Sequence, residues 1–176
     1  MQNNSERGND LKTFGLLIVF CTCSAAGVLK SFEYTEAQKE LYAFILFLKF
    51  IKREVEVYLT RQKDIFERFE NKLLENSGFL PTLRSREISD DKSPLYHVLR
   101  EWDKRLRIPD EAKNLLVEFS ESFGQTSPSE QSAKCDITLA ALEEIYKKCK
   151  EENSSRIRLC RSAGCIVGAF AVLLLI

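Results

Sequence analysis

Two stretches of the chain lack charge altogether. Thr13–Leu29 (TFGLLIVFCTCSAAGVL) holds seventeen such residues, and Ser162–Ile176 (SAGCIVGAFAVLLLI) holds fifteen. The residues between them alternate apolar and charged positions with the three-and-four spacing of amphipathic helices, and no stretch alternates in twos as a half-buried strand does. The first helix is expected to run on from Lys30, with Leu41, Phe44, Ile45, Leu48, Ile51 and Val55 on one face, and to end near Tyr58. Thr60 is placed to cap a second helix carrying Ile65, Phe66, Phe69 and Leu73, which Gly78 stops. Residues 79–92 read as the longest irregular stretch. Ser93-Pro94 then opens a helix with a buried stripe of Leu95, Val98, Leu99, Trp102 and Leu106. Pro109-Asp110 opens the next, with Ala112, Leu115, Leu116, Phe119 and Phe123 inward and Gly124 as its left-handed cap. Ser127-Pro128-Ser129-Glu130 has the form of a capping box. No Pro or Gly follows it until Gly164, so one helix is expected from Pro128 to the end of the sequence.

The predicted fold is all-α. It is an antiparallel helical bundle whose long first and last helices continue into N- and C-terminal transmembrane segments. The corresponding divisions are a tail at 1–12, a membrane helix at 13–29, a bundle at 30–161 and a second membrane helix at 162–176. Each apolar segment is short for a span: at about 1.5 Å per residue they cover roughly 26 and 22 Å, against a hydrocarbon core near 30 Å. Flanking Leu11, Leu159 and Cys160 and local bilayer thinning would have to make up the difference. A competing reading makes the first segment a cleaved signal peptide. Glu6 and Asp10 offset Arg7 and Lys12 ahead of it, and Cys23-Ser24-Ala25 is a weak cleavage site. The middle carries Lys30, Lys39, Lys49, Lys147, Lys148, Lys150, Arg156, Arg158 and Arg161 near the segments, whereas the tail offers only Arg7 and Lys12. That bias predicts a membrane protein with a cytoplasmic bundle.

Composition narrows the function. The chain has 26 basic and 26 acidic residues, so no basic surplus points to nucleic acid. Of six cysteines, Cys21, Cys23 and Cys165 fall in the apolar segments, and Cys135, Cys149 and Cys160 are scattered without a close pair, which favours a reduced domain. His97 is the single histidine and has no Cys or second His at ligand spacing. Cys21-Thr-Cys23 puts its thiols on different helix faces. Asp90-Asp91 and Glu143-Glu144 read as solvated charge. No Gly-rich phosphate loop or nucleophile elbow is present. No catalytic, metal or cofactor site is expected, and the chain is read as a non-enzyme.

Two features point to contacts. Gly164-x-x-x-Gly168, and the small face made by Cys23 and Gly27, would let helices approach closely in lipid; the competing reading is that Gly is common in membrane helices. Leu41–Ile51 (LYAFILFLKFI) is apolar all round except at Lys49. With one face given to the bundle, Tyr42, Leu46, Phe47 and Phe50 are left as a second stripe, either packed on other helices or lipid, or docking a partner.

The order of parts resembles the stage III sporulation protein AB family of endospore-forming bacteria, over nearly the whole chain from Thr13. That family has a Glu-Ile run followed by a Thr-Pro-Leu helix start; here Glu54-Val55 is followed by Thr60-Arg61-Gln62. It has a Leu-Gly-x-Ser-Asp turn with Gln four residues on; here Phe123-Gly124-Gln125-Thr126-Ser127 precedes Gln131. Its basic junction and Ser-x-Gly correspond to Arg158-Leu159-Cys160-Arg161-Ser162-Ala163-Gly164. The resemblance implies a bundle similar to the cytoplasmic domain of the inner-membrane platform proteins of type II secretion and type IV pilus machines. It implies a place in the mother-cell membrane, in the secretion-like complex joining mother cell and forespore. The implied partners are that complex's cytoplasmic ATPase, stage III sporulation protein AA, and its other membrane components; a second copy, as a homo-oligomer, is the other candidate occupant of the Phe47 and Phe50 stripe. The alternative class is a membrane-tethered regulator or adaptor that binds a soluble signalling protein.

Overall fold

The computed structural model describes residues 22, 32–58, 61–87 and 92–175, with side chains beyond Glu152 described only at Ser162 and Ile166. Every element among them is helical. Helix α1 covers 32–53 and ends in a π-helical turn, Glu54–Tyr58. Five short helices follow: α2 (Gln62–Arg68), α3 (Lys72–Asn76), α4 (Phe79–Ser85), α5 (Pro94–Trp102) and α6 (Asp110–Ser122). Helix α7 (Pro128–Leu175) has 48 residues without a break. The chain divides into two units, one of Glu36–Lys150 and one of Met1–Thr35 with Glu151–Ile176. The first unit is the bundle. The described part of the second is helical backbone.

Helix α1 is the centre of the bundle rather than one of its walls. Leu41, Ala43, Phe44, Ile45, Phe47, Leu48, Ile51 and Val55 are all buried, a set too wide for one helix face. A helix that is apolar nearly all round must be enclosed by its neighbours. This corrects the expectation for Phe47, which is fully enclosed and belongs to the core instead of a docking stripe. Its ring meets Phe69 at 4.8 Å and Phe66 at 6.1 Å; Phe66 in turn meets Phe123 at 6.0 Å. Phe50 is half-buried, with Phe69 at 5.3 Å. Only Tyr42 and Leu46 of the four remain exposed.

Along α1, α7 runs antiparallel. Tyr42 faces Tyr146, Lys49 pairs with Glu143 at 2.6 Å, Lys52 with Asp136 at 2.6 Å, and Glu56 accepts from the Ser132 hydroxyl. One number rises as the other falls. These ion pairs are half-exposed, so they fix register more than they add stability. The inward residues of α7 in this stretch are Cys135, Leu139, Leu142 and Ile145.

The expected helix from Thr60 to Gly78 is two helices. Thr60 lies outside the described residues, and Arg61 occupies the cap position of α2 without a side-chain bond. The chain breaks at Phe69–Asn71 because two side chains satisfy the broken ends. Asn71 Oδ1 accepts from the Leu73 and Leu74 amides at 3.1 and 3.2 Å and starts α3. The Arg84 guanidinium donates to the carbonyls of Phe66 at 2.9 Å and Phe69 at 2.6 Å, where α2 ends. A second correction concerns 79–92, which is not irregular throughout. Residues Phe79–Ser85 form α4, with Phe79, Leu80 and Leu83 buried and Pro81 in the first turn, where its missing N–H leaves nothing unpaired. Gly78, at φ +88, turns the chain from α3 into α4. Residues 88–91 lie outside the described set.

The remaining boundaries agree with the sequence reading. Ser93 Oγ accepts from the Leu95 amide at 3.3 Å with Pro94 at the first helical position. Helix α6 opens after Pro109, and Gly124 follows it at φ +82. Ser127 Oγ accepts from the Glu130 amide at 3.4 Å, capping α7. Gly164 and Gly168 lie one turn apart on α7, while Cys23 and Gly27 fall outside the described residues. No helix among the described residues is long and apolar enough to cross a membrane; residues 162–175 are helical backbone, and of 13–29 only Thr22 is described.

The centrality of α1 sets a stability expectation. Phe47→Ala should cost about 3–5 kcal/mol, read as a lowered denaturation midpoint by circular dichroism. Leu46→Ala, one position away on the exposed side, should stay below about 1 kcal/mol. Equal effects would show that α1 is not enclosed.

Candidate interaction surface

The surface left by this packing has three parts. On the outer side of α1, Tyr42 is 47% exposed and Leu46 37%. The Tyr42 ring lies 5.5 Å from that of Tyr146 on α7, so it is held in place by a ring contact while its outer face stays in water. Phe50 is covered in part by the Arg53 guanidinium, 5.2 Å from its centroid. The structure thus keeps two adjacent members of the expected quartet at the surface and removes Phe47 to the core.

The second part is the joint between α2 and the turn after α6. Gln62 Nε2 donates to the Phe123 carbonyl, next to Gly124. A methyl group at Gly124 would come within 1.5 Å of that nitrogen. Gln131 Nε2 donates to the Thr126 carbonyl at 2.7 Å, closing the same turn from the other side. Gly124 is therefore required twice, for its positive φ and for the space that the Gln62 amide fills. Gln62 and Gln131, noted in sequence only as motif positions, are brought together with the cap residue Gly124 around one turn. Their role here is to hold α2, α6 and α7 in register.

The third part was not expected from the sequence. It is a cleft of about 670 Å³, lined by α1 residues, the start and end of α3, and the segment from Trp102 to Arg107. At its edge Glu40 is 7% exposed and accepts from the Arg107 amide at 2.9 Å. Burial raises its carboxyl above the ordinary range, against the opposing pull of that bond and of Arg107 and Lys113; Glu36 pushes the same way as burial. Spacing could have flagged Glu40, because a carboxylate directly before Leu41 falls on the apolar side of α1. The reading of charged positions as solvated hid it.

His97 is half-buried with its ring 5.5 Å from Tyr96. Cys135 and Cys149 are not in disulfides. Cys135 is fully enclosed, and burial pushes it up to about 12. Among the described residues no group of three His, Cys, Asp or Glu could hold a metal ion. What this surface offers is shape, charge and exposed rings.

Glu40 gives a pH-dependent expectation. Its folded pKa is raised, so its neutral form favours the fold at low pH, and that contribution is lost as pH rises through the folded value. Glu40→Gln keeps an acceptor for the Arg107 amide and removes the buried charge. The variant should match the parent in melting temperature near pH 4 and exceed it by pH 8. A difference that does not change with pH would mean that Glu40 is stably paired as a carboxylate.

The family model described as stage III sporulation protein AB matches residues 12–176. Neither a curated protein nor a solved structure matches the chain.

Proposed function

Because the chain belongs to the stage III sporulation protein AB family, we propose that it is a non-enzymatic, membrane-anchored platform component of a sporulation secretion-like complex. In this reading it couples a cytoplasmic ATPase, of the stage III sporulation protein AA kind, to membrane components of the mother cell. The observation that supports it is α7. One unbroken helix starts at Pro128, enters the bundle core at Ser132 and Cys135, and continues through the uncharged stretch from Ser162. A load applied to the bundle can pass along that backbone without crossing a loop. The uncharged stretches at 13–29 and 162–176 are the anchors. The exposed pair Tyr42 and Leu46 is the docking point for the ATPase, since an exposed ring held by a neighbouring ring loses little freedom on binding.

Two measurements test this. Tyr42→Asp with Leu46→Asp should leave helix content and melting close to the parent and abolish co-purification of the ATPase. Retained binding would move the contact elsewhere, and failure of the parent to bind would remove the coupling itself. For orientation, an impermeant maleimide should modify Cys149 only after lysis. Cys135 should stay unmodified until denaturation, because its thiol is enclosed and protonated at neutral pH. Ready labelling of Cys149 from outside intact cells would place the bundle on the other side of the membrane.

A further inference from the structure

The cleft between α1, α3 and the Trp102–Arg107 segment gathers positive charge. Several cations elsewhere sit on carboxylates: Lys49 on Glu143, Lys52 on Asp136, Arg84 on Glu75, Arg86 on Glu101, Lys92 on Glu121. In the cleft, Lys72, Arg105 and Arg107 line the walls and none makes an ion pair among the described residues. The two carboxylates present are already committed. Glu36 pairs with Lys39 at 2.9 Å, and Glu40 accepts the Arg107 amide. The floor is Trp102, 6% exposed, with Phe79 edge-on at 5.8 Å and the Arg105 guanidinium 5.2 Å from its centroid. Its indole N–H is enclosed and has no acceptor among the described residues. Burying a donor without a partner is costly, and such a donor calls for an explanation.

We propose that this cleft is a binding site for a phosphate group. Three cations without an ion pair, Lys72 on α3 and Arg105 and Arg107 on the segment after α5, two of them guanidinium forks, match the oxygens of a tetrahedral anion better than they match a single carboxylate. The cleft carries four cationic side chains, Lys39, Lys72, Arg105 and Arg107, against the two carboxylates of Glu36 and Glu40, a balance that favours an anion. The same chemistry is presented by an anionic phospholipid headgroup and by a soluble phosphate, and Trp102 can tell the two apart. It is the single tryptophan of the chain, so its emission and its one indole N–H resonance both report on this cleft.

The experiment is a titration of the full chain, purified in a neutral detergent, at constant ionic strength. The added probes are phosphatidylglycerol, phosphatidylcholine, inorganic phosphate and a polyglutamate peptide. A saturable change in Trp102 emission, with a shift of the indole N–H resonance, is expected with phosphatidylglycerol or with inorganic phosphate. Whichever produces it identifies the source, and phosphatidylcholine should not reproduce it. Lys72→Gln with Arg107→Gln should weaken the response by about tenfold or more, the size of one lost charge-assisted hydrogen bond. Both changes leave the Arg105–Trp102 stack and the Arg107 amide bond to Glu40 in place, and an unchanged melting curve confirms that the variant is folded. If that variant unfolds, the single change Lys72→Gln is read in the same way. Absence of any saturable response to both phosphate sources overturns the proposal. So does an unchanged response in the folded variant, or a response to polyglutamate alone, which would make the cleft a contact for an acidic protein segment.

Discussion

The enclosure of α1 is the constraint on which the other elements depend. Its run from Leu41 to Ile51 has apolar residues on nearly every side, so no single partner helix can cover it. The chain answers with α7 on one flank and the aromatic residues of the short helices on the others. Phe79 meets Phe44 at 5.1 Å from α4, and Phe66 and Phe69 meet Phe47 from α2 and its end. Helices of five to seven residues are unstable alone in water. Here they persist because each supplies a ring or a leucine to the surface of α1.

Short helices also have nearly all their backbone at an end, so their termini have to be satisfied one by one. Asn71 starts α3, Arg84 closes α2, Gly78 admits α4 and Ser93 starts α5. Arg84 serves twice, since its guanidinium also pairs with Glu75 at 2.7 Å. The Gln62 amide bonded at the Gly124 turn extends the same economy between distant parts of the chain. A bundle held by many small terminal bonds around one enclosed helix is suited to presenting a surface. Its surface includes a seam where charges are paired along α1 and α7 and a cleft lined by Lys72, Arg105 and Arg107. The seam sets register.

Much of this was legible in order along the chain. Amphipathic spacing located α5, α6 and α7, and Ser93, Gly124 and Ser127 marked their ends, because caps and left-handed turns depend on residues a few positions apart. The core positions of α1 through Leu41, Phe44, Ile45, Leu48 and Ile51 followed from the same periodicity. Periodicity missed the break at Asn71 because the apolar spacing runs on through Phe69 and Leu73, while the side chain that stabilises the break, Arg84, lies in α4, beyond the whole of α3. It missed α4 because Pro81 and Gly78 read as breakers, although one stands in a first turn and the other before it.

By itself the sequence determined that the protein is helical, where most of its helices begin and end, and which family it belongs to. Those properties rest on contacts within a turn or two, or on the order of motifs. Tertiary structure decided which side of α1 faces water. A helix apolar all round has no outward side until its neighbours are placed, and placing them sent Phe47 inward and left Tyr42 and Leu46 outside. It decided too that Glu40 is buried and that Lys72, Arg105 and Arg107 share one cleft. Residues separated by thirty or more positions meet only after the chain has closed on itself, and no local pattern records that meeting.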